Sequence, residues 1–217
     1  MTAMQAGSSG TIIRGCGDAN AMNALHATRI VNDLAASRDV LNLALADEAF
    51  VASVSRAAEM ITDSLRLGGK VLFAGNGGSA ADAQHLACEL VVRFKSDRDA
   101  LAAIALTTDS SILTAIGNDL GFNHLFSRQV LALGRAGDVF VGLSTSGRSP
   151  NVLVACKAAR DRGMTAVGFT GANGGAMADV CDLLVSVPSG DTALIQQVHI
   201  AAGHTICAIA EERLARR

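Results

Sequence analysis

Five short, almost uninterruptedly apolar segments constrain the fold of this 217-residue chain more than any other feature. Such segments are typical of strands that are buried on both faces, and between them the sequence has the spacing of amphipathic helices. Buried strands that alternate with helices form a parallel sheet covered by helices. We therefore predict an α/β fold, a three-layer αβα sandwich on a five-stranded parallel sheet. The predicted strands are Val71–Ala74, Leu101–Leu106, Val139–Leu143, Ala166–Phe169 and Leu183–Val187.

Two further helices are predicted before the first strand, from Met22 to Leu67, with a break near Ala46-Asp47-Glu48 and an end at Gly68-Gly69. Residues 1–20 are predicted to be a flexible extension. Residues 21–217 are predicted to be a single domain, in which the helical pair (about 21–67) packs on the sheet or on another subunit. The other predicted helices are Ser79–Phe94, Ser110–Ile116, Leu125–Leu133, Pro150–Arg162, a short one around Ala176–Val180, and Thr192–Arg213.

Composition excludes several classes of protein. Half of the residues are apolar, the formal net charge is −2 and aromatic residues make up 3%, so neither a basic face nor base-stacking residues for nucleic acid are expected. The five cysteines are widely spaced without a Cys-x-x-Cys pair, which indicates reduced thiols in a cytoplasmic protein. The first twenty residues lack the apolar stretch of a secretion signal and no apolar run reaches the ~20 residues of a membrane helix, so neither a signal sequence nor membrane association is expected.

A glycine-rich stretch, Gly75-Asn76-Gly77-Gly78-Ser79, directly follows the first predicted strand. Glycines allow positive φ angles and a close approach of the backbone to a ligand. Ser79 and Asp82 have the spacing of a capping box, which places the start of the next helix in this loop. The stretch has neither the lysine of a Walker loop nor the spaced glycines of a dinucleotide fingerprint. It is either a ligand-binding loop or a plain turn.

A second loop, Leu143 to Asn151, follows the third predicted strand and is rich in hydroxyl groups. Pro150 fits the first position of a helix, and the free amides and dipole of a helix N-terminus favour phosphate. Arg148 either adds positive charge or is simply solvated. The hydroxyls either bind phosphate or serve only the backbone of the turn. They belong to Ser144, Thr145, Ser146 and Ser149.

Imidazole and carboxylate groups occur at helical spacing in the third and the last predicted helices. His85 and Glu89 are four residues apart and project from one helical face, either as a structural pair or as a chemical site. His199 and His204 are five residues apart, about 140° around the helix axis, so they do not easily share a site.

Two glutamines precede His204 in the last helix. Gln197 nearly eclipses His204, whereas Gln196 is about 80° away from it, so helical spacing slightly favours Gln197 as the partner of His204.

Together these motifs resemble the sugar isomerase (SIS) domain family and, within it, the phosphoheptose isomerases. The likeness extends from about Ala21 to the C-terminus. The serine loop is shared by many SIS proteins, whereas the combination of two histidines with a glutamate and a glutamine is specific to the heptose isomerases. The residues that carry the resemblance are Gly75 to Ser79, His85, Glu89, Asn118, Asp119, Ser144, Thr145, Ser146, Ser149, Gln196 and His204.

The resemblance implies a homotetramer of αβα subunits, with the N-terminal helices in a central bundle. It also implies one zinc ion per subunit, and it selects Gln196 rather than Gln197. The implied zinc ligands are His85, Glu89, Gln196 and His204. The implied contacts of a sugar-phosphate substrate are Asn76, Gly77, Gly78, Glu89, Asn118, Asp119, Ser144, Thr145, Ser146, Ser149 and Gln196.

The activity that the resemblance implies is an aldose–ketose isomerisation. Sedoheptulose 7-phosphate would become D-glycero-D-manno-heptose 7-phosphate through an enediol(ate), with Glu89 as the base and His204 as the acid. The product would supply heptose for bacterial lipopolysaccharide or capsule. Two alternatives stay open at this point. One is a non-catalytic SIS adaptor that binds the replication initiator, and the other is an isomerase for a different sugar phosphate.

Overall fold

The computed structural model describes residues 16–215, with side chains from Met22 onward, so most of the predicted extension lies outside the described residues. The described helices are α1 (Cys16–Ala46), α2 (Glu48–Arg66), α3 (Gly78–Val91), α4 (Ser110–Asp119), α5 (Ser127–Leu133), α6 (Pro150–Asp161) and α7 (Thr192–Leu214), with short 3₁₀ helices at Phe122–His124 and Gly175–Asp179. The strands are β1 (Val71–Gly75), β2 (Ala103–Ala105), β3 (Val139–Leu143), β4 (Thr165–Gly171) and β5 (Leu183–Val187).

The five strands form one parallel sheet in the order β2-β1-β3-β4-β5, which confirms the predicted fold class. The chain moves from β1 outward to β2, and then returns to place β3 on the other side of β1. The direction of winding therefore reverses between β1 and β3. In open α/β sheets, ligands bind beyond the carboxyl ends of the strands at such a reversal.

Each face of the sheet is covered by its own set of helices. Alternate residues of β1 point to opposite faces, so that Val71 and Phe73 pack with α2, α3 and α7. Leu72 and Ala74 instead pack with the helices of the other side, α4 to α6. Because both faces are covered, β1 and β3 are buried along their full length. This burial explains why these strands were apolar at every position.

The break between the two N-terminal helices falls at Asp47, as predicted. The carboxylate of Asp47 caps α2 by accepting hydrogen bonds from the amides of Ala49 (2.9 Å) and Phe50 (3.1 Å). At the other end of α2, Gly68 adopts φ +81°, a left-handed conformation that terminates the helix.

The bounds of β2 differ most from the prediction, with three residues instead of six. β2 is an edge strand that pairs only with β1, from Val71–Ala103 to Phe73–Ala105. Strand pairing, and not apolar composition, sets its length. β4 is longer than predicted and includes Thr165, Thr170 and Gly171, because β3 and β5 pair with it on both sides.

The contacts between residues group the chain into two compact units, one that ends at Arg38 and one that begins at Asp39. The first unit contains the beginning of α1, whose apolar side chains Leu25, Val31 and Leu34 are exposed. The second unit, from Asp39 onward, contains the end of α1, all of α2 and the sheet with its cores. A single domain over residues 21–217 stays a prediction.

α7 is long and apolar enough, by length and composition alone, to cross a membrane, although the sequence led us to expect no such helix. Within the described chain, Ile195, Val198 and Ile206 of α7 are buried in the cores, which accounts for its apolar composition. Among the cysteines described as free thiols, Cys156 and Cys207 are buried as small core residues, whereas Cys88 is exposed and Cys181 is half-buried.

Candidate active site

The glycine-rich loop and the serine loop meet at the reversal point of the sheet, because they follow the neighbouring strands β1 and β3. A reciprocal pair of side-chain amides joins them. Asn76 donates to Asn151 (2.9 Å), and Asn151 donates back to Asn76 (2.8 Å). Asn151 is fully buried at the start of α6, whereas Asn76 is half-buried at the end of β1. The two candidate ligand loops are therefore held as one unit.

α3 begins two residues earlier than the predicted capping box requires. Its N-cap is Gly77, with φ +55°, and no side chain caps the helix. Ser79 already lies within the first turn, where its hydroxyl accepts a hydrogen bond from the amide of Gln196 (3.4 Å), so the predicted capping box is wrong. Gly78 makes room for this contact, since a Cβ there would lie 2.7 Å from the Gln196 amide nitrogen.

The hydroxyl groups of the serine loop have different surroundings. The Ser144 hydroxyl is buried and shares a hydrogen bond with that of Ser149 (2.9 Å). Ser149 is the N-cap of α6, but its side chain makes no capping hydrogen bond. Thr145 is half-buried beside Thr192, and Ser146 is exposed and accepts from the amide of Arg148 (3.2 Å). The loop thus presents hydroxyls beside the N-terminus of α6, whose dipole favours an anion, although Pro150 has no N–H and the amide of Val152 already donates to Oδ1 of Asn151 (3.0 Å).

Gly147, at the tip of the serine loop, packs tightly against the turn that follows β4. It adopts φ +62°, and a Cβ at this position would lie 2.1 Å from the carbonyl oxygen of Gly174. The carbonyl of Gly147 also accepts a hydrogen bond from the amide of Met177 (3.2 Å). Only glycine fits at this position, and the contact holds the tip of the serine loop against the turn that follows β4.

His85, Glu89 and His204 form a cluster between α3 and α7. The Nε2 atoms of His85 and His204 are 2.8 Å apart, and His85 Nε2 is 3.2 Å from Glu89 Oε1. α3 and α7 run side by side in the same direction, since Gln196 contacts Ser79 at their beginnings and His204 contacts His85 further along. His85 is half exposed and Glu89 and His204 are partly buried, so the cluster is open to a small molecule.

Burial and neighbouring charges shift the pKa values of the groups around the cluster. Burial, with a further contribution from His85, holds the pKa of His204 below its usual range, although Glu89 acts in the opposite direction. Burial raises the pKa of Asp82, and His85 opposes this shift. Asp82 lies one helical turn before His85, and its buried Oδ2 has no hydrogen-bond partner among the described residues.

The donor atoms of the cluster fit a divalent metal ion. One ligand atom from each of His85, Glu89 and His204 lies within 4.8 Å of the others. Ligands about 2.1 Å from a tetrahedral Zn²⁺ would be about 3.4 Å from one another, close to the 2.8 and 3.2 Å separations described above. Two imidazoles and a carboxylate are also a donor set that Zn²⁺ accepts.

The structure separates the two histidines of α7, as their spacing predicts. His199 is fully buried against Thr170 and Phe169, away from the cluster. Gln197 is exposed, whereas Gln196 is half-buried against the first turn of α3. That turn is about 9 Å along the helix from His85, so Gln196 as a fourth metal ligand stays a prediction.

Asn118 and Asp119 lie at the exposed C-terminal end of α4, which follows β2. Asn118 donates a hydrogen bond to the carboxylate of Asp119 (2.7 Å). Neither of these residues belongs to the His–Glu–His cluster or to the amide pair that joins the two loops. Their role as sugar contacts stays a prediction.

The sequence analysis missed a polar network behind the cluster. Phe94 stacks on the ring of His204, with centroids 5.2 Å apart and planes tilted by 27°. Glu211 accepts backbone hydrogen bonds next to Phe94 and pairs with Arg98. Burial alone raises the pKa of Glu211, but three backbone N–H groups and Arg98 outweigh it and hold this pKa below its usual range. The seven-residue spacing from His204 to Glu211 was the one available signal, since it places both on one face of α7.

Comparisons with known proteins agree with this architecture. A family model described as SIS domain matches residues 34–171, a range that ends before α7. A phosphoheptose isomerase of Burkholderia pseudomallei (strain 1710b) is 56% identical over 187 residues, which are 86% of this chain and 95% of that protein.

Two solved structures of phosphoheptose isomerases also resemble the chain. The structure from Neisseria gonorrhoeae has a TM-score of 0.76 at 44% identity and covers 88% of this chain and 99% of its own. The structure from Francisella tularensis has a TM-score of 0.82 at 35% identity and covers 86% of this chain and 98% of its own.

Proposed function

The chain belongs to the phosphoheptose isomerase family of SIS-domain proteins, and from this premise we propose that it converts sedoheptulose 7-phosphate to D-glycero-D-manno-heptose 7-phosphate. The observation that carries the proposal is the meeting of Glu89 and His204, from two distant parts of the chain, in one open cluster. A carboxylate beside an imidazole is the pair that an aldose–ketose isomerisation requires.

The phosphate end of the substrate is assigned to the serine loop. Thr145 and Ser146 offer hydroxyls, and the N-terminus of α6 offers the positive end of its dipole. The Asn76–Asn151 pair holds this loop to the glycine-rich loop, where Asn76, Gly77 and Gly78 would contact the sugar. Binding energy from the phosphate would thus orient the carbonyl end for reaction.

Proton transfer is assigned to Glu89 and His204. The Glu89 carboxylate would take a proton from one of the two reacting carbons and return it to the other, through an enediol(ate). Because burial holds the pKa of His204 below its usual range, its imidazole would be neutral near neutral pH. A neutral imidazole can donate its N–H to the developing charge on the carbonyl oxygen.

A zinc ion, one per subunit, is the metal that we assign to His85, Glu89 and His204, with Gln196 as the fourth ligand. The ion would supply Lewis-acid polarisation of the substrate carbonyl. Gln196 would have to turn from Ser79 toward the cluster in order to bind it. The measurement is the metal content of the purified protein, with a Gln196→Ala variant compared with Gln197→Ala, which changes an exposed neighbour.

The test of function is the formation of aldose product from sedoheptulose 7-phosphate. We expect Glu89→Gln and His204→Gln to lower kcat by about 100-fold or more, as loss of a general acid or base does. Glu212→Gln, which changes an exposed carboxylate elsewhere on α7, serves as the control and should keep full activity. Near-normal rates in both folded site variants would contradict the assignment of roles.

The comparisons give no support to the alternative of a non-catalytic adaptor or of an isomerase for another sugar phosphate. An inactive wild-type protein that binds a replication initiator would reverse this conclusion. We further infer that the enzyme is cytoplasmic and that its product supplies heptose for lipopolysaccharide or capsule.

A further inference from the structure

The short segment 94–98, which follows α3, touches both of the residues that are assigned to proton transfer. The ring of Phe94 stacks on the ring of His204, with centroids 5.2 Å apart. Arg98 donates through Nη2 to the backbone carbonyl oxygen of Glu89 (2.8 Å). Glu89 is in the last turn of α3, where carbonyl groups have no partner within the helix. Arg98 therefore supplies a hydrogen bond that the helix itself cannot.

Glu211 of α7 holds this segment in place. Its carboxylate accepts hydrogen bonds from the backbone amides of Phe94 (2.9 Å), Lys95 (2.9 Å) and Ser96 (2.7 Å). Glu211 is seven residues after His204, so the two side chains leave α7 within about 20° of the same direction. One face of α7 thus carries both the imidazole of the cluster and the carboxylate that secures its surroundings.

Arg98 and Glu211 also form a buried ion pair. Arg98 Nε is 3.2 Å from Glu211 Oε2, and the two side chains are 4% and 2% exposed. Apolar side chains of similar volume would often stabilise a fold at least as well as a buried ion pair. Stability alone therefore does not explain why Arg98 and Glu211 are buried here. Their hydrogen bonds do, because Glu211 binds the backbone of segment 94–98 and Arg98 binds the carbonyl of Glu89.

We propose that Arg98 and Glu211 are positioning residues of the isomerase. They link the end of α3 to α7, so that Glu89 stays beside His204 and Phe94 stays against the His204 ring. The inference rests on the proposed function for its effect on turnover. Its effect on the geometry of the cluster can be measured separately through the affinity for Zn²⁺.

The test compares Glu211→Gln with a matched substitution, Asp138→Asn. Asp138 is also a buried carboxylate with three donors, namely the amide and Nζ of Lys70 and the amide of Arg135. It directly precedes β3, at the end of the sheet opposite the two ligand loops. Both substitutions weaken a buried carboxylate network, but only one of these networks touches the cluster.

We expect Glu211→Gln to lower kcat about 10-fold and to weaken Zn²⁺ binding about 10-fold, as substitution of groups that support metal ligands does. The KM for sedoheptulose 7-phosphate should change less than about twofold, since the serine loop is intact. Asp138→Asn should lower the melting temperature and leave kcat and Zn²⁺ affinity unchanged. Zn²⁺ affinity is measured on the metal-free protein by competition with a chromophoric chelator.

Unchanged kcat and Zn²⁺ affinity in Glu211→Gln, or equal losses in both variants, would overturn the proposal. If Glu211→Gln does not fold, Arg98→Lys takes its place, because it keeps the positive charge but loses the guanidinium hydrogen bond to Glu89. Its kcat and Zn²⁺ affinity, relative to the wild type, are then compared with those of Asp138→Asn. A wild-type protein that does not convert the heptose phosphate would refute the proposed function instead. The Zn²⁺ affinities would then still decide whether the pair positions the cluster.

Discussion

The two histidines of α7 have opposite surroundings, although both lie in an apolar helix. His204 takes part in the open cluster with His85 and Glu89. His199 is fully buried, and its Nε2 must carry the proton, because the Thr170 carbonyl oxygen 3.1 Å away can only accept. Among the described residues, no group bonds to the buried Nδ1 of His199. Protonating that nitrogen would place an unpaired charge in the core.

The surroundings of His199 predict a loss of stability in mild acid. Burial lowers the pKa of His199 from 6.5 to about 4. Between pH 6.5 and pH 4, this histidine is therefore protonated in the unfolded chain but neutral in the folded chain. The free energy of unfolding should therefore fall as the pH decreases from 6.5 toward 4. At about 1.4 kcal/mol per pKa unit, His199 alone accounts for about 2 to 3 kcal/mol of this loss by pH 4.5.

The measurement is urea unfolding at pH 7.5 and pH 4.5 for the wild type and His199→Gln, at one protein concentration. Glutamine can still donate to Thr170 but does not titrate, so the variant should lose about 2 to 3 kcal/mol less than the wild type between the two pH values. His124→Gln, at an exposed position of the 3₁₀ helix Phe122–His124, should behave like the wild type. The same pH dependence in His199→Gln would contradict the assignment.

At the scale of elements, the Asn76–Asn151 amide pair joins the end of β1 to the start of α6. We expect Asn151→Ala to lower the free energy of unfolding by about 1 to 3 kcal/mol, through loss of a buried hydrogen-bonding group. The effects of Asn76→Ala and Asn151→Ala should not add, and the double variant should lose about 1 to 2 kcal/mol less than the sum of the two. Urea unfolding of the four proteins measures this coupling.

An exposed asparagine provides the comparison for this cycle. Asn32→Ala, on the exposed surface of α1, should combine additively with Asn151→Ala to within about 0.5 kcal/mol. Additive effects of Asn76→Ala and Asn151→Ala would show that the two loops are held independently, contrary to the geometry. Non-additivity with an unchanged KM would in turn limit the role of the pair to the stability of the fold.

The elements themselves were largely predictable, because local patterns decide where they lie. β3 matches the predicted bounds, since full burial leaves an apolar run whose ends are the ends of the strand. β5 also matches the predicted bounds, although it is a partly buried edge strand. The break at Asp47 was predictable because a cap is a local hydrogen bond. The capping box at Ser79 failed because Gly77, with φ +55°, takes the N-cap position and places Ser79 inside the first turn. The short edge strand β2 failed for a related reason, since its pairing partner sets its length.

The candidate site was predictable only in part, and the division has a physical basis. The spacing of His85 and Glu89 reveals a shared face, because both lie on one helix. That His204 joins them depends on the packing of α3 against α7, which only the family resemblance supplied. The Asn76–Asn151 pair spans 75 residues, and the bonds from Glu211 to segment 94–98 span more than 110. No local pattern in the sequence encodes such contacts.

At the scale of the whole molecule, a groove of about 310 Å³ between the end of α1, α2 and α7 remains open to solvent. Its lining is almost entirely apolar, and Leu41, Leu45 and Val51 are 38%, 75% and 50% exposed. Contiguous apolar surface of this kind marks an interaction site. It supports the homotetramer that the family resemblance implies, in which the N-terminal helices form a central bundle.

The tetramer predicts a mass of about 89 kDa in solution, four times the 22.2 kDa of the chain. Leu45→Glu should shift the protein to a smaller species in light scattering coupled to size exclusion, because a buried charge without a partner costs far more than the interface gains from one leucine. Leu67→Glu places the same charge at an exposed leucine outside the groove, beyond the end of α2, and should leave the mass unchanged. A monomeric wild type, or two variants that both keep the tetrameric mass, would contradict the assignment of this surface as the subunit interface.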